Sequence, residues 1–153
     1  MYKKELNTAI WAANEAAKVI RTFAADESFK IEMKGKNDLV TSADLASEKI
    51  ILEMIQKEFP GDQFLAEESN EYTTLPNGRV WIIDPIDGTT NFSHGFFPYC
   101  VSIAFGVRKQ PANMRQQILL QIACRNRSKF NYLLTYFLTY LLTYLWNIDP
   151  NIV

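Results

Sequence analysis

The segment Trp81-Ile82-Ile83-Asp84-Pro85-Ile86-Asp87-Gly88-Thr89-Thr90-Asn91-Phe92 restricts the fold more than any other stretch of this 153-residue chain. Val80 to Ile83 is a short apolar run rich in β-branched and aromatic side chains, which reads as a buried strand. Asp84 stands where that strand ends, and Pro85 biases it away from the helical region, so the chain leaves the strand extended and then turns. On a tight turn Asp84 and Asp87 can converge on one point, with the Ile86 carbonyl as a third hard oxygen on the same side. Gly88 permits close backbone approach, and Thr89-Thr90-Asn91 can begin a helix whose free N–H groups would face an anion. Hard oxygens beside a phosphate-sized anion site suit Mg²⁺, which favours carboxylates, water and substrate phosphate over nitrogen or sulfur.

An Asp-Pro-x-Asp-Gly stretch by itself is commonly only a turn, so the remaining acids decide its weight. Phe64-Leu65-Ala66-Glu67-Glu68-Ser69 places two glutamates directly after a short apolar strand, from which a carboxylate can project off a sheet edge. Asp38-Leu39-Val40-Thr41-Ser42-Ala43-Asp44 adds a third acidic cluster at a helix start, where Asp44 could equally serve as a cap. His94, the only histidine, lies in a loop between Ser93 and Gly95 and reads as structural rather than as a general base.

Elsewhere the periodicities are plain. Leu6, Ile10, Ala13, Ala17, Ile20 and Ala24 step by four and three, which predicts an amphipathic helix over roughly residues 3 to 25 with an alanine-rich face made for close packing. Lys34-Gly35-Lys36-Asn37-Asp38 fits a turn or hairpin before Leu39-Val40. A second helix, capped by Ser42 or Asp44, should run through Ala46, Ile50, Met54 and Ile55 and stop at Pro60-Gly61. Gln63 to Ala66 reads as a further strand, and Tyr99 to Val107 as one packed on both faces, with Val101, Ile103, Phe105 and Val107 opposite Cys100, Ser102, Ala104 and Gly106. Helices followed by strands predict an α+β layered domain.

Three motifs, Lys34 to Asp44, Ala66 to Ser69 and Trp81 to Phe92, together resemble in order and spacing the N-terminal motifs of the inositol monophosphatase family. The Thr-Thr-Asn ending is similar to that branch rather than to bisphosphate nucleotidases or fructose bisphosphatases. The resemblance implies a layered helix and antiparallel-sheet sandwich of the sugar phosphatase type, here truncated, and hydrolysis of a small phosphomonoester such as inositol monophosphate. It implies Glu67, Asp84 and the Ile86 carbonyl as ligands of one Mg²⁺, with Asp84 bridging to a second that Asp87 also holds. It further implies Thr89, with Asp44 behind it, as the pair that orients and deprotonates the attacking water. The Gly88 and Thr89 amides would hold phosphate, Glu68 would be a neighbouring acid and Lys34 a supporting base. Substrate contacts would thus involve Glu67, Ile86, Asp87, Gly88 and Thr89, and inhibition by lithium and a homodimer are implied as well.

The resemblance covers about residues 1 to 107. Residues 1 to 107 carry 16 acidic and 10 basic side chains, net -6, whereas 108 to 153 carry one acid and 6 bases, net +5, which together give the chain's net charge of -1. Leu133 to Tyr144 repeats Leu/Phe-Leu-Thr-Tyr with a period of four, which matches no common repeat fold. The uncharged run from Asn131 to Ile148 carries too many Thr and Tyr to be read as a membrane span. We read 108 to 153 as foreign to the family domain, the product of a reading-frame change or a mis-joined gene. The family's later Trp-Asp-x-x-Ala-Gly motif is not found, since Trp146-Asn147-Ile148-Asp149 lacks both the aspartate and the Ala-Gly, so little activity is expected of the chain as written. Competing readings are an inactive fragment, a phosphatase of a related sugar or nucleotide phosphate, and an interaction module built on the tail. Near-neutral charge leaves no nucleic-acid footprint, and two cysteines without a framework and a charged start fit a cytoplasmic protein.

Overall fold

In a computed structural model of the chain, residues 2–26, 29–35, 38–69, 78–109 and 113–123 are described, the side chains of 34, 35, 38, 108, 109 and 113–123 excepted. The elements run α1 (Lys3–Asp26), β1 (Ile31–Gly35), β2 (Asp38–Thr41), α2 (Ser42–Glu58), β3 (Gln63–Ala66), β4 (Gly78–Asp87), α3 (Thr89–Ser93), β5 (Cys100–Lys109) and β6 (Asn113–Ala123). β1 and β2 form an antiparallel hairpin, as the polar stretch at 34–38 predicts, although Lys36 and Asn37 and the Lys34 side chain lie outside the described residues. The larger sheet has the order β3-β4-β5-β6.

That sheet is mixed rather than wholly antiparallel. β3 runs parallel to β4, with Ala66 beside Ile83, while β4–β5 and β5–β6 are antiparallel. A parallel pair needs a long return connection between its two strands. The consequence is geometric: both strands end at the same edge, so the acids that follow each of them start from neighbouring positions.

One face of the sheet, with Trp81, Ile83, Val101, Ile103 and Phe105, packs against α1 and α2 in a single core. Trp81 and Phe105 are fully buried, with ring centroids 4.8 Å apart. Each such side chain contributes roughly 1.5 to 3 kcal/mol through burial. α1 buries Ala9, Ala12, Ala13, Ala16, Ala17 and Ile20, whereas Leu6 and Ile10 remain exposed. The predicted helix is correct but its stripe is rotated, because small alanines allow the closer approach of α2 and so occupy the centre of the contact.

β5 is buried on both faces as expected, from Cys100 at 1% exposure through Val101, Ser102 and Ile103 at 0%. The strand read as Tyr99 to Val107 is β5, Cys100–Lys109, and β6 pairs along the whole of it from Lys109↔Asn113 to Cys100↔Ala123. Residues 124–153, including the Leu/Thr/Tyr repeat and Cys124, lie outside the described residues. Among the described residues no helix is long and apolar enough to cross a membrane.

Candidate metal centre

The acids sit where three segments meet: the corner after β3, the end of β4 and the N-terminal turn of α2. The Glu67 N–H donates to the Ile83 carbonyl at 3.1 Å, which continues the parallel register by one residue. Glu67 is thereby set beside Asp84, and paired residues of neighbouring strands project from the same face.

Asp87 reaches that face through a bulge. Residues three apart on a regular strand point to opposite sides. Asp84 pairs with Ser102 and Asp87 with Cys100, so three steps on β4 oppose two on β5 and one residue is extra. The extra residue corrects the parity and returns Asp87 to the side of Asp84. Cys100 Sγ accordingly lies 3.9 Å from Asp87 Oδ2 and 3.7 Å from Ser102 Oγ. The sequence placed the end of the strand at Asp84; β4 instead continues to Asp87 with this irregularity inside it.

Gly88 then turns the chain into α3 with φ +97°, a left-handed conformation that side chains rarely adopt. A Cβ there would stand 3.0 Å from the Pro98 carbonyl oxygen, so both backbone geometry and space require glycine. The hydroxyl of Thr89, the first residue of α3, lies 2.9 Å from the Ile86 carbonyl and 3.1 Å from Asp44 Oδ1. One hydroxyl proton cannot serve both acceptors at full strength; when it points to Asp44, the Ile86 carbonyl keeps its lone pairs for another partner.

Asp44 is 1% exposed. It is not the cap of α2, and neither is Ser42: Thr41 is the cap, its side chain accepting from the Ala43 and Asp44 amides. Asp44 completes the capping box by accepting from the Thr41 N–H at 2.8 Å. Its other oxygen faces Thr89. Burial raises the Asp44 carboxyl above its ordinary range, and its bonds with Thr41 and Thr89 hold that rise back.

Asp84 carries the strongest perturbation. Burial, then the Glu67 and Asp87 charges, a hydrogen bond with Glu67 and the Asp44 charge together push its carboxyl well above the ordinary range. Its Oδ1 is shielded from solvent and has no hydrogen-bond partner among the described residues. Burial also raises Asp87, with the Cys100 thiol opposing. Among the described residues no group of three or more His, Cys, Asp or Glu side chains is gathered closely enough to hold a metal ion as it stands.

Two residues absent from the sequence-based list belong to this centre. Ser47 donates to the Pro85 carbonyl at 3.2 Å, and Glu48 Oε2 accepts from the Glu68 N–H at 2.8 Å. Their signal was readable: Asp44, Ser47 and Glu48 have the i, i+3, i+4 spacing of one helix face. His94 takes no part in the acid cluster. It is exposed, with Nδ1 2.8 Å from the Thr90 carbonyl, and stacks on Phe96.

Comparison with known proteins places the chain in a family. The profile of the Inositol monophosphatase family matches residues 1–113. Inositol monophosphatase 1 of Solanum lycopersicum is 40% identical over 109 residues, covering 69% of this chain and 40% of that protein. The Nus factor SuhB of Pasteurella multocida is also 40% identical, over 104 residues, covering 67% of this chain and 39% of its own length. The solved structure of the Thermotoga maritima IMPase superposes with a TM-score of 0.68 at 28% identity, covering 79% of this chain and 44% of that one. The chain thus spans about 40% of the length of the curated relatives it matches. With the family profile matching from the first residue through the three acidic segments, the chain belongs to the inositol monophosphatase family.

Proposed function

We propose that this chain supplies the cation- and phosphate-binding part of a Mg²⁺-dependent phosphatase of small phosphomonoesters, with inositol monophosphate as the first candidate substrate. The observation that carries the reading is that Glu67 and Asp87 are set on the same face as a buried Asp84 whose Oδ1 has no hydrogen-bond partner among the described residues. Burying a carboxylate among carboxylates is costly unless a cation faces them. Carboxylates and a carbonyl are the donor set of a hard ion, so the residues fit Mg²⁺.

Glu67, Asp84 and the Ile86 carbonyl would hold one ion, and Asp84 with Asp87 a second. When bound, Mg²⁺ supplies positive charge to the phosphoryl group and leaving oxygen and makes water a better nucleophile at neutral pH. The chain's own residues do the rest. Thr89 donates to Asp44, which leaves a lone pair on Oγ1 to accept the proton of an attacking water. The raised Asp44 carboxyl suits it to share that proton. The Gly88 and Thr89 amides bind the phosphate, and Glu68 stands beside the ligand set. A cytoplasmic location, a homodimer and lithium inhibition belong to the same reading, as does a change to non-family sequence beyond the region of residues 107 to 113.

The test is a calorimetric titration of the purified 153-residue chain with Mg²⁺, followed by phosphate release from inositol 1-phosphate beside a full-length family member. Saturable Mg²⁺ binding is expected. Failure to bind at millimolar Mg²⁺ removes the reading; binding without turnover favours a non-catalytic fragment.

A further inference from the structure

Helix α2 presents one polar edge to all the acid-bearing segments. Asp44, Ser47 and Glu48 are 1%, 0% and 3% exposed. Asp44 meets the Thr89 hydroxyl, Ser47 the Pro85 carbonyl and Glu48 the Glu68 amide. The first two contacts reach the end of β4 and the start of α3; the third reaches the corner after β3.

Glu48 has no evident reason to be there as a stabilising group. A glutamate sunk beside two others at 67 and 68 bears a desolvation cost that an apolar residue would avoid. What it obtains is a charge-assisted bond to one backbone N–H. That N–H belongs to the peptide joining Glu67 to Glu68, and the preceding peptide is tied by the Glu67 N–H to the Ile83 carbonyl. The two bonds hold the backbone on both sides of the Glu67 Cα, and so fix where its side chain starts.

We propose that Glu48 is a positioning residue of the metal centre: by accepting the Glu68 N–H it fixes the corner after β3 and aims the Glu67 carboxylate at Asp84. The inference rests on the reading of Glu67 as a cation ligand. Without the acceptor, one of the two backbone ties that flank the Glu67 Cα is lost. Glutamine offers an acceptor oxygen at the same reach, whereas alanine offers none and aspartate is one methylene too short.

Mg²⁺ titration of the 153-residue chain, with amide exchange at Glu68 followed by NMR, tests this. Glu48→Ala is expected to weaken Mg²⁺ binding about 10 to 100-fold and to lose Glu68 amide protection, while Glu48→Gln stays within about threefold of the parent and keeps it. Glu48→Asp should behave like the alanine variant despite keeping its charge, and it carries the comparison if Glu48→Ala does not fold. Ile51→Val, a core change on the same helix, should lower the melting temperature without moving the affinity. Unchanged affinity in both Glu48→Ala and Glu48→Asp overturns the positioning role and leaves the metal reading intact. A loss in Glu48→Gln as large as in Glu48→Ala also overturns it, because charge rather than the acceptor would then matter. A parent chain that binds no divalent cation overturns both.

Discussion

β4 begins and ends in clusters of charge, and the two are built on opposite plans. At its start Arg79 makes a two-point contact with Asp62, at 2.6 and 3.0 Å, and reaches Glu5 at 2.9 Å. Trp81 Nε1 donates to the same Asp62 at 2.8 Å, and the guanidinium lies over the Phe59 and Phe105 rings. Asp62 and then Glu5 raise the Arg79 pKa above its usual value, against a smaller opposing effect of burial than that of Asp62. At the other end, the charged groups acting on Asp84 are further carboxylates. The first cluster is closed within the chain and holds α1, the loop before β3 and β4 together. The second gathers carboxylates at the open end of the strand, an arrangement that suits a ligand of the opposite sign.

The largest expected effect breaks the open end. Asp84→Asn should weaken Mg²⁺ binding by at least about 100-fold, since losing even an outer partner of a metal site costs 10 to 100-fold. The same substitution should raise the melting temperature of the metal-free chain. The sign follows from the raised carboxyl pKa: ionisation is disfavoured in the folded state, so stability declines as pH climbs from the ordinary carboxylate range through the raised value, and the amide escapes that decline. Calorimetry and melting curves without divalent ions read both effects. Equal Mg²⁺ affinity in the variant would mean that the open end is not a cation site.

In a full-length form of the protein, Thr89→Ala should lower turnover about 100-fold, the lower range for loss of a proton-transfer group, while Mg²⁺ affinity changes little. Steady-state assays at saturating Mg²⁺ separate the two parameters. A fall in affinity with turnover preserved would move Thr89 from handling the proton to holding the ion.

Arg79→Met probes the closed end. It leaves Asp62 and Glu5 without their shared cation, and because Arg79 is partly exposed the cost should be about 2 kcal/mol, below the 3 to 5 of a fully buried pair. Urea unfolding measures it. Mg²⁺ affinity should not move, and if it did the two ends of β4 would be coupled rather than independent.

Gly88→Ala gives the smallest of these effects, a loss of about 1 to 2 kcal/mol from the left-handed backbone and the approach to Pro98. An unaltered melting temperature would show that the turn relaxes into another conformation.

Much of the fold was legible because its signals are local. The spacing of alanines in α1 marks a helix, and Pro60-Gly61 marks where α2 must stop. The Trp81–Ile83 run marks a strand, and Asp84, Asp87 and Gly88 mark the turn chemistry that follows. The choice of Thr41 over Ser42 or Asp44 as the cap was not legible, since all three side chains can accept an amide and the β2 ladder decides where the helix begins. The spacing of Glu48 from Asp44 was legible but its burial was not, since a glutamate within a helix is usually solvated and only the fold brings the Glu68 N–H to it.

The sequence by itself determined which residues offer carboxylate and carbonyl oxygens, because residue type sets what each group can donate. The tertiary structure alone decided that they lie on one face. Parallel pairing of β3 with β4 sets Glu67 beside Asp84, and one extra residue in β4 returns Asp87 to their face. Strand direction and register arise from contacts between segments far apart in the chain. No local pattern encodes them, and a slip of one residue would have sent each carboxylate to the opposite side of the sheet.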